Sequence, residues 1–293
     1  MRLMEPSRPA LGSQVSAGAD VSTRDASRDW LKGAIARSVL VSLLLAGGYV
    51  MWDRTWRRAG PTNPGVSCPA VLAARHRPPL AAIGVHRVAL IGDSIMWQPS
   101  CAIAESLASV GVQTSRHGVP GSGLLTGPVD WVAETQRILQ AEKPDVVVAI
   151  FVGNYWMPPV RDPTGTPIAV DTPAFFGAWQ ERAQALSAEV RAAHARLYWV
   201  SPPPITMSVL AHAQRLFDGY RSIPGDHVLD SGRVLAGPGR QPLLVKQSCG
   251  ALRLLRSPSD GVHLSDDGAR IYGEQIAHDL SAGLGLLTSP RPC

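Results

Sequence analysis

The chain has 293 residues, 45% of them hydrophobic, which suffices for one domain of about 200 residues plus an appendage. Its net charge is +5, yet the 28 basic residues, all arginine except Lys32, Lys143 and Lys246, are scattered. No basic block interleaves with aromatics, so nucleic acid is disfavoured as a partner. The four cysteines, Cys68, Cys101, Cys249 and Cys293, contain no C-x-x-C pair, and no structural zinc site is expected. They could form up to two disulfides in an oxidising compartment, with three pairings open, or remain four separate thiols.

Residues 1–32 are polar and mixed in charge, and are expected to be disordered. Residues 33–52 (GAIARSVLVSLLLAGGYVMW) carry one charge, Arg37. About 20 residues cross the hydrocarbon core of a bilayer, with Arg37 able to snorkel to the headgroups. Tyr49, Trp52 and Trp56 cluster at the far end, as an interfacial aromatic belt would. This stretch is expected to be an uncleaved transmembrane signal-anchor. The alternatives are a cleaved signal peptide, for which Ala46-Gly47-Gly48 offers small residues behind an unusually long leader, and a core helix, which would show a polar stripe. Arg24, Arg28, Lys32 and Arg37 precede the span, against Arg54, Arg57 and Arg58 after it, a slight bias toward the N-terminus inside. All four cysteines follow the span, consistent with an extracytoplasmic domain. Residues 53–85, rich in proline, read as a stem.

From residue 86 the pattern alternates strand and helix. Val88–Ile91 is a wholly apolar strand, ending at Gly92-Asp93-Ser94 and leading to a helix over about 100–110. Residues 112–115 form a short strand before a glycine-rich turn, His117-Gly118-Val119-Pro120-Gly121-Ser122-Gly123. Asp130 caps an amphipathic helix with Trp131, Val132, Thr135, Ile138 and Leu139 on one face. Residues 145–151 (DVVVAIF) make the clearest buried strand, ending in Gly153-Asn154. A long helix over about 173–195, a strand over 196–201, a helix over about 207–222 and a short strand at 227–229 follow. Residues 231–259 read as irregular. Ser265 caps a last helix, with Asp266 and Asp267 in its first turn, apolar Ala269, Tyr272, Ile276 and Leu280, and Gly283 as its stop. Such alternation means a parallel sheet of about five strands covered on both faces, in a domain spanning 86–285 with a tail at 286–293.

Four blocks carry chemistry. Ser94 ends the first strand, Gly121 follows the second, Asn154 ends the third, and Asp260-x-x-His263 precedes the last helix. At the carboxyl edge of one parallel sheet they can converge. A serine needs a base to take its proton, which His263 can be; Asp260 can bond the other ring nitrogen and stabilise the imidazolium. The oxyanion needs donors: the N–H groups of Ser94 and Gly121 and the side-chain amide of Asn154. Each residue also has a plainer reading, His263 as a structural histidine and Asn154 as a turn former. Asp93 reads as a turn or cap residue without chemistry. There is no Gly-x-Ser-x-Gly elbow, P-loop or His-Glu-x-x-His.

In the order Ser94, Gly121, Asn154, His263, the chain resembles the SGNH hydrolases, the GDSL-like esterases, over roughly residues 86–285. The resemblance implies a three-layer α/β/α, flavodoxin-like fold and ester hydrolysis or acyl transfer with no metal and no cofactor. Gly118 and Gly123 compete with Gly121 for the second block. The Gly153-Asn154 pair matches the family's Gly-x-Asn only approximately. Trp97 and Trp156 are expected near the site rim, to stack on sugar or line an acyl pocket, or else to pack in the core. An anchored, extracytoplasmic domain favours an acylated cell-envelope glycan or glycolipid as substrate, with an acyltransferase or envelope-assembly protein as a further partner. The rival activities are O-acyl transfer to a glycan hydroxyl, a lipase or thioesterase, and a non-catalytic glycan-binding module.

Overall fold

A computed structural model of the chain describes residues 84–155, 160–162, 164–205, 212–258 and 260–285. The expected disordered segment 1–32, the membrane span 33–52, nearly all of the stem, Trp156 and the tail 286–293 lie outside the described residues. No helix among the described residues is long and apolar enough to cross a membrane.

Five strands, β1 (Arg87–Gly92), β2 (Gln113–Gly118), β3 (Val146–Ile150), β4 (Arg196–Val200) and β5 (His227–Leu229), form one sheet in the order β2-β1-β3-β4-β5, every pair parallel. This is the flavodoxin-like order. β1, β3 and β4 are buried on both faces, the edge strands β2 and β5 less so, and the side chains sort by parity. Val88, Leu90, Val146, Val148, Ile150, Tyr198 and Val200 enter one core. Ala89, Ile91, Val147, Ala149, Leu197 and Trp199 enter the other.

The first core is covered by α1 (Ser94–Trp97), α2 (Ser100–Ala108) and α6 (Asp266–Leu284), which contribute Met96, Ile103, Tyr272 and Ile276. The second is covered by α3 (Trp131–Glu142), α4 (Pro173–Ala192) and α5 (Ala213–Tyr220), with Trp131, Phe175, Trp179 and Phe217. The expected caps are in place. Asp130 accepts from the N–H groups of Val132 and Ala133, and Ser265 from that of Gly268.

Two expectations need correction and one needs an addition. Gly283 does not stop the last helix; it lies within α6 beside Tyr198, and Gly285, with φ +71°, makes the left-handed cap. The helix expected over about 100–110 is α2 (Ser100–Ala108); a short helix that the sequence did not mark, α1, precedes it, and Pro99, which has no N–H to continue α1, stands just before α2. Residues 231–259 are not merely irregular. They hold two short 3₁₀ turns and an antiparallel hairpin, β6 (Val245–Ser248) with β7 (Ala251–Leu254). Its two-residue turn has positive φ at both Cys249 (+54°) and Gly250 (+75°), as a type I′ turn requires. Cysteine stands where asparagine or aspartate would advertise that turn, and Leu252 and Leu254 face outward, so the usual strand signals are missing. Neither described cysteine, Cys101 or Cys249, is a free thiol.

The strand–helix turn after β1 tolerates no side chain at Gly92. Its φ is +151°, and a Cβ there would lie 2.1 Å from the Ile150 carbonyl oxygen of the neighbouring strand. Gly92→Ala is expected to cost about 3 kcal/mol or more, or to abolish folding, because backbone must move. Urea unfolding measures it.

Candidate active site

In a parallel sheet of this order, β1 and β3 are adjacent but their connections leave in opposite directions, opening a crevice at their carboxyl ends. Ser94 is at this crevice as the first residue of α1, immediately after β1. Its hydroxyl lies 3.0 Å from Nε2 of His263. The other ring nitrogen, Nδ1, lies 2.7 Å from Oδ2 of Asp260. A carboxylate only accepts, so Nδ1 carries the proton and Nε2 faces the serine hydroxyl as a base. Ser94, His263 and Asp260, drawn from the two ends of the domain, thus form one hydrogen-bonded chain.

The histidine is oriented by local turn chemistry. Oδ1 of Asp260 accepts from the N–H of Val262 at 2.8 Å and of His263 at 2.9 Å, while Oδ2 holds the ring. Gly261, with φ +67°, lets the chain turn back between them. Burial raises the Asp260 carboxyl, but the hydrogen bonds from the His263 ring and from the two N–H groups outweigh it and hold the carboxyl below the ordinary carboxylate range. Asp260 therefore keeps its negative charge through that range, and loses it only as pH falls below it. Both side chains of the pair are about two-fifths exposed, so the dyad is open to substrate. Behind it, the buried Arg256 donates from Nη1 to the Val262 carbonyl at 2.9 Å and from Nη2 to the Pro204 carbonyl. Burial pulls the Arg256 guanidinium down to about 10, so it remains charged at neutral pH.

Three groups near the carboxyl ends of β1, β2 and β3 are the candidate donors. Ser94 begins α1, so its N–H has no acceptor within the helix. Neither it nor the N–H of Gly121 has an acceptor among the described residues. Of the competing glycines, Gly123 spends its N–H on the Thr126 carbonyl, and Gly118 packs against the backbone of Trp97. Gly121 has φ +78°, a conformation that suits glycine at a turn. Asn154 adopts φ +71° in the loop after β3, and Nδ2 donates to the Ser122 carbonyl at 2.7 Å. One amide hydrogen is thereby used for orientation, and the second has no acceptor among the described residues. The Thr126 hydroxyl donates to the Asn154 carbonyl at 2.7 Å, which stitches the glycine-rich turn to the β3 loop. Ser122 is fixed in turn by Trp131, whose indole N–H donates to its hydroxyl. Trp97 is half-buried on α1, and Trp156 lies outside the described residues.

Asp93, to which the sequence assigned no chemistry, is the hub of this arrangement. It is fully buried. Oδ1 accepts from the Ile95 N–H at 2.8 Å, capping α1, and Oδ2 accepts from Val152 at 2.7 Å and Gly153 at 3.0 Å. Burial pushes its carboxyl up, against these three N–H bonds and the nearby His263, which all favour the charged form. The Val152 peptide is held from the other side as well. Nε2 of His212 lies 3.0 Å from its carbonyl, so that nitrogen bears the proton, and burial lowers this ring's pKa toward the neutral form. An aspartate between an apolar strand and a serine signals a helix cap; nothing in the sequence signals that its second oxygen reaches the loop after β3.

The family model described as "Protein of unknown function (DUF459)" matches residues 87–279. Among curated proteins, none matches this sequence. Solved structures similar to this chain include an α/β hydrolase enzyme, LAE5, from the metagenome of Lake Arreo, at 17% identity, covering 71% of this chain and 98% of that one with a TM-score of 0.48. A catalytic mutant of Axe2, an acetylxylan esterase from Geobacillus stearothermophilus, is 14% identical, covering 71% and 97% with a TM-score of 0.46. A GDSL-like lipase from Bacteroides thetaiotaomicron is 13% identical, covering 68% and 87% with a TM-score of 0.44.

Asp93→Asn offers a single carbonyl oxygen to three N–H groups and turns an amide NH₂ toward at least one of them. The expected cost is about 2–5 kcal/mol from unsatisfied buried donors, read from the urea midpoint.

Proposed function

We propose that this chain, which belongs to the DUF459 family, is a serine esterase that forms an acyl-enzyme on Ser94. The observation that carries the reading is the continuous chain from Ser94 Oγ through the His263 ring to Asp260, at 3.0 and 2.7 Å. His263 Nε2 takes the hydroxyl proton as Ser94 Oγ attacks the ester carbonyl. The carbonyl oxygen becomes an oxyanion, received by the N–H groups of Ser94 and Gly121 and the free amide hydrogen of Asn154. Asp260 balances the imidazolium. The imidazolium then gives its proton to the leaving alkoxide, which departs as an alcohol and leaves the acyl group on Ser94. A water, deprotonated by His263, attacks that acyl ester; Ser94 regains its proton and the carboxylic acid leaves.

For the biological substrate we read short O-acyl esters, such as O-acetyl groups, on cell-envelope glycans or glycolipids, handled by a membrane-anchored extracytoplasmic enzyme. The support is the apolar stretch 33–52 with its aromatic flank, and the placing of all four cysteines after it. An acceptor sugar hydroxyl in place of water would make the same acyl-enzyme an O-acyltransferase.

The full-length protein is tested with p-nitrophenyl acetate, longer esters and a fluorophosphonate probe. Probe labelling and short-ester turnover are both expected, and both are expected to vanish in Ser94→Ala. Asn154→Ala is expected to lower kcat by about 10²–10³-fold by removing one oxyanion donor. A folded wild-type protein that neither labels nor turns over would overturn the esterase reading. Product analysis with a glycan acceptor separates hydrolysis from transfer.

A further inference from the structure

Ser94 and His263 belong to segments 169 residues apart in sequence. Their 3.0 Å contact requires α1 and the His263 loop to be held in register. The loop itself is built on the end of β7. Ser257 N–H donates to the His263 carbonyl at 2.8 Å, Ser265 N–H to the Leu255 carbonyl at 3.2 Å, and Arg256 pairs with Leu264 as an isolated antiparallel bridge. All of these bonds lie within the 255–265 segment. None reaches α1.

Gln98 does. It is the cap residue of α1, and its own N–H donates to the Ser94 carbonyl at 3.2 Å. Its side-chain Oε1 accepts from the Leu264 N–H at 3.0 Å, and its Nε2 donates to the Leu264 carbonyl at 3.1 Å. The amide thus grips both backbone groups of the residue next to His263, as a neighbouring β-strand would. Glutamine suits this position. A carboxamide presents one donor and one acceptor side by side, a carboxylate lacks the donor, and asparagine is one methylene too short to reach from the same backbone. Two coupled hydrogen bonds also define an angle, which the single Ser94–His263 bond does not.

We propose that Gln98 is a positioning residue that sets the nucleophile–base geometry by clamping the end of α1 to the backbone beside His263. The inference rests on the serine-esterase reading and adds a determinant of its rate. A displacement of about 1 Å between reacting groups can cost up to 10²-fold in rate, and the clamp guards against such a displacement. Gln98 lies outside the acid–base chain, so its loss should leave ester binding largely intact.

Gln98→Met keeps length and volume and removes both bonds. In the full-length protein, kcat for p-nitrophenyl acetate is expected to fall by about 10–100-fold with KM within about twofold. Fluorophosphonate labelling of Ser94 should slow in parallel, and the thermal midpoint should drop only by a few degrees. Gln98→Glu keeps the acceptor for the Leu264 N–H but sets a carboxylate oxygen against the Leu264 carbonyl. It too should lose kcat, and it serves in place of Gln98→Met if that variant does not fold. A folded variant with wild-type kcat, or one whose whole loss lies in KM, overturns the clamp while leaving the esterase reading intact. A folded wild type that neither labels nor hydrolyses esters removes the esterase reading and the clamp with it.

Discussion

The site depends on one buried carboxylate. Asp93 is completely withdrawn from solvent, where an unpaired charge would be costly. It is sustained by three backbone N–H groups, one on the residue after Ser94 and two on the loop after β3. A single side chain therefore ties the turn that presents Ser94 to the loop that presents Asn154. Because those N–H groups are themselves buried, the bonds are local, directional and hard to replace with water. Gly92 is part of the same constraint, since the carboxylate can reach the loop after β3 only if the backbone beside it passes within contact distance of Ile150.

Rigid support and open chemistry are kept apart. Asp93, Ser122, Trp131, His212 and Arg256 are buried, and each bonds a backbone or side-chain group that orients the site. His263 and Asp260 are partly exposed at the crevice, where a substrate can reach them. The scaffold holds peptide groups rather than the reacting atoms. Among the described residues, the N–H groups of Ser94 and Gly121 and one hydrogen of Asn154 meet no acceptor, which is what a site for a developing oxyanion requires.

The wall of the crevice built from β1 and β3 and the wall built from the His263 loop are different kinds of structure. The first is formed by parallel pairing, whose register is specified by side chains buried on both faces. The second hangs from a hairpin whose apolar residues Leu252 and Leu254 face outward and whose turn begins at a cysteine. Arg256, Leu264 and Gln98 convert that less regular segment into a fixed surface through polar bonds to backbone.

Much of this was legible along the chain because it depends on short-range periodicity. Uninterrupted apolar runs marked β1 and β3, the helical spacing of Trp131, Thr135, Ile138 and Leu139 marked α3, and aspartate and serine caps marked the starts of α3 and α6. The order of Ser94, Gly121, Asn154 and His263 then followed from strand ends sharing one edge, and Asp260 from its three-residue offset to the histidine. What only the tertiary structure decided are partnerships across long separations: the reach of Asp93 to Val152 and Gly153, the grip of Gln98 on Leu264, and the turning of the Asn154 amide to Ser122. Periodicity and caps report which face of an element is apolar and where it begins. They carry no information on which buried donor meets which acceptor, because that pairing exists only once the sheet has set the distance between them.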